Sequence, residues 1–184
     1  MSYSQWIRRY RRTIGIPLVI GALLLAKFDG RFALVSTILI CGGEAIRIWS
    51  AGHLRKEEIL TTGGPYRAVR NPLYIGSFLI AIGFAAIAGS LWIWLMVLAY
   101  FILCYIPVVR FEENILREKF PNHFPRYAKE VPAFVPSLHL FRSNSTHFSW
   151  KQVMRNKEYN AVLGILIGYA YLLFIRSHGP LFTS

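Results

Sequence analysis

Between Leu91 and Val109 the chain reads LWIWLMVLAYFILCYIPVV, nineteen residues without a charge. At about 1.5 Å of rise per residue, such a helix approaches the ~30 Å thickness of a bilayer's hydrocarbon core. In lipid no water satisfies backbone N–H and C=O groups, so a single run of this kind must be helical. Four more apolar stretches accompany it: Ile14 to Phe28, Phe32 to Ile48, Leu73 to Ala88 and Ala161 to Ile175. Charged residues are 16% of the chain, against about 25% in soluble domains. The expected fold is an all-α integral membrane protein with about five transmembrane helices, one domain over residues 1–184. Several stretches fall short of the roughly 20 residues that span a bilayer, and flanking Tyr, Trp, Lys and Arg extend them. The first and fifth are the weakest, tilted or partly interfacial. The charged-then-apolar N-terminus has no small-residue cleavage site after Phe28-Asp29-Gly30, so it reads as a retained first segment.

The net charge of +12 raises nucleic acid as a partner, and the distribution of charge removes it. If five segments alternate across a membrane, 17 of the 21 Lys and Arg fall on one side. They precede the first segment (Arg8, Arg9, Arg11, Arg12) or lie in the loops Ser50 to Asn71 and Arg110 to Glu158. The positive-inside rule then places the N-terminus in and the C-terminus out. Those two cytoplasmic loops are the places with enough polar chain to build a site. Within the second, Arg142 to Trp150 reads as a linker, and KQVMRNKEYN (Lys151 to Asn160) as a short interfacial helix before the last membrane segment.

Only Gly89-Ser90 separates the third stretch from the fourth, which forces an antiparallel helical hairpin. Its arms are similar in length, so Arg70-Asn71-Pro72 at one end should meet Arg110-Phe111-Glu112-Glu113 at the other. Asn71 suits an N-cap and Pro72 a first helical position. The free N–H groups there, with Arg70 and the flexible Gly63-Gly64, suit an anion. Glu112 and Glu113 suit a cation, and successive helical residues point about 100° apart, so they cannot make the same contact. The combined chemistry fits a zwitterion. Glu44 and Arg47, spaced i, i+3 inside the second stretch, are intramembrane charges that either line a cavity or form a buried ion pair. Cys41 and Cys104 have no metal-type spacing and read as buried, inert thiols. GILIG (Gly164 to Gly168) is a small-xxx-small motif able to pack a helix neighbour.

GPYRAVRNPLYIG followed by FEENILREKFPNHFPRYAKEVPAFVP resembles the integral-membrane methyltransferases that include isoprenylcysteine carboxyl methyltransferases and phospholipid methyltransferases. The family's motif falls on Gly64-Pro65-Tyr66, Arg70-Asn71-Pro72-Leu73-Tyr74, Glu112-Glu113, Phe120, Tyr127 and Val131-Pro132, with the core over residues 44–136 and residues 142–184 beyond it. The resemblance implies S-adenosyl-L-methionine as cofactor, bound at the cytoplasmic helix ends by Gly64, Tyr66, Arg70, Asn71, Pro72, Tyr74, Glu112 and Glu113, without a metal or a Rossmann domain. It implies methyl transfer to a lipophilic or membrane-embedded carboxylate or amine. Isoprenylcysteine methyltransferases usually carry His at the position of Asn71. Asparagine hydrogen-bonds as well but cannot titrate.

Transfer from a sulfonium is an in-line displacement, so positioning and exclusion of water carry much of the catalysis. A carboxylate acceptor needs no base, whereas an amine must lose a proton, to Glu113 or Glu112. Arg110, with Arg47, would orient an anionic acceptor entering sideways from the lipid, and Phe111, Phe120, Phe124 and Tyr127 would cover the adenosine. Two other readings fit the same residues. Membrane sterol reductases resemble this superfamily in their C-terminal half and bind NADPH, and a non-catalytic membrane module would use the motifs as helix caps and ion pairs.

Overall fold

A computed structural model describes residues 3–55, 59–137 and 147–179. Among these there is no strand. The order is α1 (Tyr3–Leu25), a 3₁₀ turn (Gly30–Phe32), α2 (Ala33–His53), a second 3₁₀ turn (Gly64–Arg67), α3 (Pro72–Ile87), α4 (Leu91–Tyr100), a π turn (Phe101–Tyr105), α5 (Ile106–Lys119), α6 (Phe124–Glu130), α7 (Trp150–Arg155) and α8 (Tyr159–His178). Three helical runs are long and apolar enough to cross a membrane: Gly30–His53, Leu91–Lys119 and Tyr159–His178. Two apolar helices are shorter, Gly15–Leu25 and Pro72–Ile87. The fifth stretch, read from sequence as among the weakest, is therefore one of the three long ones, because Tyr159, Asn160 and residues 176–178 extend its helix. The outward surface is apolar, with Leu34, Leu91, Trp92 and Leu166 largely exposed, as lipid-facing residues would be.

The helix beginning at Leu91 runs on to Lys119, but its regular hydrogen bonding is interrupted once. Pro107 has no N–H, and its ring would crowd the carbonyl four residues back. The chain widens just before it, where the Ile106 N–H reaches the Phe101 carbonyl in a π turn. Tyr105 follows in that turn, stacked on Phe101 at 4.3 Å between ring centroids.

Helices α2 and α3 make the most intimate pair, and glycine permits it. A Cβ on Gly76 would lie 2.5 Å from the Gly43 carbonyl oxygen, and one on Gly83 would lie 2.6 Å from Ile40 Cγ1. Close backbone approach of this kind is how membrane helices gain packing where no hydrophobic force drives them together. At the hairpin, Gly89 takes φ +61°, a conformation that costs glycine little. The α1–α2 connection is tied to the same end, since Lys27 N–H donates to the Ala88 carbonyl and Asp29 N–H to Ile87. Gly168 lies against the Phe84 ring, whereas Gly164 faces open space.

Three expectations need correction. Cys41 is exposed on α2 and only Cys104 is buried, because Cys41 falls on the face of α2 turned away from α3. Lys151 to Asn160 is not one helix: α7 ends at Arg155, and α8 starts at Tyr159 after a turn in which Lys157 adopts φ +58°. Asn71 does occupy the N-cap position of α3, with Pro72 following, but its side chain makes no cap hydrogen bond. The linker over Arg142 to Trp150 lies mostly outside the described residues.

Candidate functional site

The hairpin brings the start of α3 beside α5, as the two-residue turn requires. Arg70 forms a two-pronged pair with Glu113, Nε to Oε1 at 2.9 Å and Nη2 to Oε2 at 3.1 Å. Its third nitrogen donates to the carbonyls of Ala128 at 2.7 Å and Val131 at 2.5 Å. The Asn71 amide, free of capping duty, donates to Glu113 Oε1 at 3.0 Å and to the Ala133 carbonyl at 3.2 Å. Arg70 thus bolts α3, α5 and the end of α6 together. A planar guanidinium with five donors suits this role, where a lysine would supply a single charge.

Glu112, one residue earlier, points elsewhere, as the 100° step dictates. It accepts from the Tyr74 hydroxyl at 2.9 Å. Tyr66 and Tyr127 are both buried beside the cluster, and the Tyr127 hydroxyl donates to the Tyr66 carbonyl at 2.8 Å. Burial pushes both phenols above their ordinary range, so each remains a protonated donor at neutral pH. Gly64 takes φ +56°, and a Cβ there would collide with the His53 ring at 2.6 Å. Its smallness seats the Gly64–Arg67 turn on the end of α2.

Two cavities open on these residues. The smaller, about 240 Å³, is lined by Tyr66, Arg70, Asn71, Glu112 and Glu113, with Arg55 at its polar edge and Leu60, Leu116, Phe124 and Tyr127 among its apolar walls. The larger, about 930 Å³, has Tyr74, Glu112, Arg47, Ser77 and Glu158 on its polar side and Leu73, Tyr100, Cys104 and Val108 on its apolar side. Leu54 and Glu112 line both. Of the candidates read from sequence, Gly64 and Pro72 line neither cavity and shape the backbone, while Tyr74 faces the larger one. Arg110 is exposed and lines neither, because it sits just ahead of the inward-turned glutamates on α5. Phe111 and Phe120 also lie outside both linings, although Phe120 packs on the buried Phe124, Tyr127 and Val131.

The intramembrane pair from sequence is present and has a third member. Arg47 Nε stands 3.7 Å from Glu44, its Nη2 stands 2.5 Å from Glu158, and its remaining nitrogen donates to Ser77. Glu158 was missed in the sequence, although it is the single acid after Glu130 and stands in a basic stretch. That isolation was the available signal. The backbone carbonyls that Arg70 uses had no signal at all, since any residue type supplies one.

Among the described residues no group of three or more His, Cys, Asp or Glu is placed to hold a metal ion. No solved structure matches the chain. Residues 17–123 match the family described as PEMT, phospholipid methyltransferase. Three curated proteins are similar. The nickel-cobalt-cadmium resistance protein NccN of Alcaligenes xylosoxydans xylosoxydans is 40% identical over 55% of this chain and 48% of its own length. The cobalt-zinc-cadmium resistance protein CzcN of Cupriavidus metallidurans is 34% identical over 74% of this chain and 69% of its own. The protein-S-isoprenylcysteine O-methyltransferase of Schizosaccharomyces pombe is 26% identical over 65% of this chain and 48% of its own. The chain therefore spans about half the length of NccN and of the yeast enzyme. With three apolar helices fit to cross a bilayer and more than half its length matched, the chain is a membrane protein and belongs to the phospholipid methyltransferase family.

Proposed function

We propose that the protein transfers a methyl group from S-adenosyl-L-methionine to a lipophilic or membrane-embedded acceptor at the cytoplasmic face. One observation carries the reading: a cavity rimmed by opposed cationic and anionic side chains shares two lining residues with a larger one that has an apolar side of Leu73, Tyr100, Cys104 and Val108. The proposal includes five membrane segments with the N-terminus inside and a functional core over residues 44–136.

The smaller cavity's residues fit the cofactor's chemistry. Glu112 offers a carboxylate to a positive centre, Arg55 offers a cation to a carboxylate, and Phe124, Leu60 and Leu116 offer apolar surface to an adenosine. Bound there, the cofactor supplies an electrophilic methyl group on a sulfonium. Arg70, Asn71 and Glu113 spend their hydrogen bonds largely on one another, so their part is to fix the walls. Glu112 reaches both cavities and can take the proton that an amine acceptor must lose, while a carboxylate acceptor needs none. Tyr74 orients it. The apolar side of the larger cavity, Leu73, Tyr100, Cys104 and Val108, offers a surface to a lipophilic acceptor. Exposed Arg110 has no part in this scheme. A contribution to metal resistance, as two relatives' names suggest, would then run through a methylated membrane component.

The test is transfer of tritium from methyl-labelled S-adenosyl-L-methionine into the organic extract of membranes holding the protein. Label above that of membranes without it is expected, and Glu112→Gln should lower it at least tenfold. Equal label with and without the protein would reject the reading.

A further inference from the structure

Two residues, Leu54 and Glu112, line both cavities. In-line displacement requires donor carbon and acceptor atom about 3–3.5 Å apart, so the reacting atoms must meet where those cavities touch. Glu112 belongs to the motif already considered. Leu54 belongs to no motif, yet it is held with unusual care.

Leu54 is the residue at which α2 stops. Its N–H closes the helix on the Ser50 carbonyl at 3.0 Å, and its backbone then turns extended, φ −71° and ψ 112°. Its carbonyl, left without a helical partner, accepts from two side chains about a hundred residues later, Gln152 Nε2 at 2.7 Å and Asn156 Nδ2 at 3.0 Å. The Asn156 amide also donates to the Ala51 carbonyl at 2.8 Å. Gln152 is buried. Burying an amide costs free energy unless its hydrogen bonds are made, and here the amide is spent on the backbone of one leucine. The end of α2 is thereby fixed from α7 and the turn after it, and with it Leu54, which lines both cavities.

We propose that Leu54 is the specificity-determining residue of the transfer, an apolar aperture whose bulk sets which acceptors reach the methyl group. α7 and the turn after it set its position. This rests on the methyltransferase reading above. A leucine there closes the passage to water and to broad headgroups, and leaves Glu112 as the polar side of the gap.

Leu54→Trp and Leu54→Ala are compared with wild type in nanodiscs of Escherichia coli total lipid. Binding of S-adenosylhomocysteine is read by calorimetry, and tritium transfer is read by chromatography of the lipid extract. Leu54→Trp should lose label transfer by a factor at least ten times larger than the factor by which it loses S-adenosylhomocysteine affinity. Leu54→Ala should label lipid classes that wild type leaves unlabelled. A helix-capping role alone would move the unfolding temperature of both variants and leave the pattern of labelled lipids unchanged. Unchanged transfer by folded Leu54→Trp overturns the proposal, and an unchanged lipid pattern in Leu54→Ala overturns it whether or not Leu54→Trp folds. Wild type that binds no cofactor, or binds it and labels nothing, overturns the methyltransferase reading and the aperture with it.

Discussion

Two adjacent carboxylates on α5 should behave differently when removed. Glu113→Ala takes away the acceptor of three hydrogen bonds, two from Arg70 and one from Asn71. It leaves a guanidinium whose side chain is 14% exposed, with only the Ala128 and Val131 carbonyls for partners. Removing one member of a buried ion pair costs about 3–5 kcal/mol. This pair is partly solvated and Arg70 keeps two acceptors, so the low end applies, about 3 kcal/mol. For a chain of this size each kcal/mol moves the unfolding midpoint by about 2–4 °C, which gives a fall of about 6–12 °C. Glu112→Ala removes the Tyr74 bond, worth about 1.5 kcal/mol, and should lower the midpoint by about half as much. The assay is thermal unfolding in detergent followed by tryptophan fluorescence, with Arg70→Ala and the Arg70→Ala/Glu113→Ala double variant completing a cycle. A midpoint for Glu113→Ala within 2 °C of wild type would refute the reasoning. So would a larger loss for Glu112→Ala.

Four further outcomes are expected. Gly76→Ala places a methyl 2.5 Å from the Gly43 carbonyl oxygen and should cost about 1–3 kcal/mol in the same thermal assay. Gly42→Ala meets nothing within 4 Å and should gain up to about 1 kcal/mol from helix propensity alone. A membrane-soluble maleimide should modify exposed Cys41 at least tenfold faster than buried Cys104, read by mass spectrometry of peptides from Cys41→Ser and Cys104→Ser variants. Burial raises the Tyr66 and Tyr127 phenols above the ordinary value of 10.0, so the folded protein holds these protons more tightly than the unfolded chain. Their stability contribution is full below pH 10.0 and declines as pH rises past it. Tyr127→Phe should shallow that alkaline decline.

How much of this was readable in the chain depends on the kind of interaction. The meeting of Arg70 with Glu113 followed from a two-residue turn between apolar runs of similar length, since connectivity and rise per residue leave little freedom. The helical character of each stretch followed from the need to satisfy backbone groups in lipid. Direction of side chains was harder. Asn71 has the composition of an N-cap, yet a carboxylate across the hairpin offered its amide a stronger acceptor than the helix's own backbone. Cys41 sits beside Leu39, Ile40 and Gly42, neighbours as apolar as the thiol itself, which give no periodic sign of which face meets lipid. Such local uniformity hides orientation in any membrane helix. The contacts of Glu158 and Leu54 were hidden for another reason: their partners, Arg47 in one case and Gln152 with Asn156 in the other, lie about a hundred residues away, and no local spacing records such a contact.

Cofactor binding tests the central claim most directly. Titration of S-adenosyl-L-methionine into detergent-purified wild type and Glu112→Gln, both shown folded by thermal unfolding, should give saturable heat in the first and at least tenfold weaker binding in the second. No binding by folded wild type, or equal binding by both, would contradict the account.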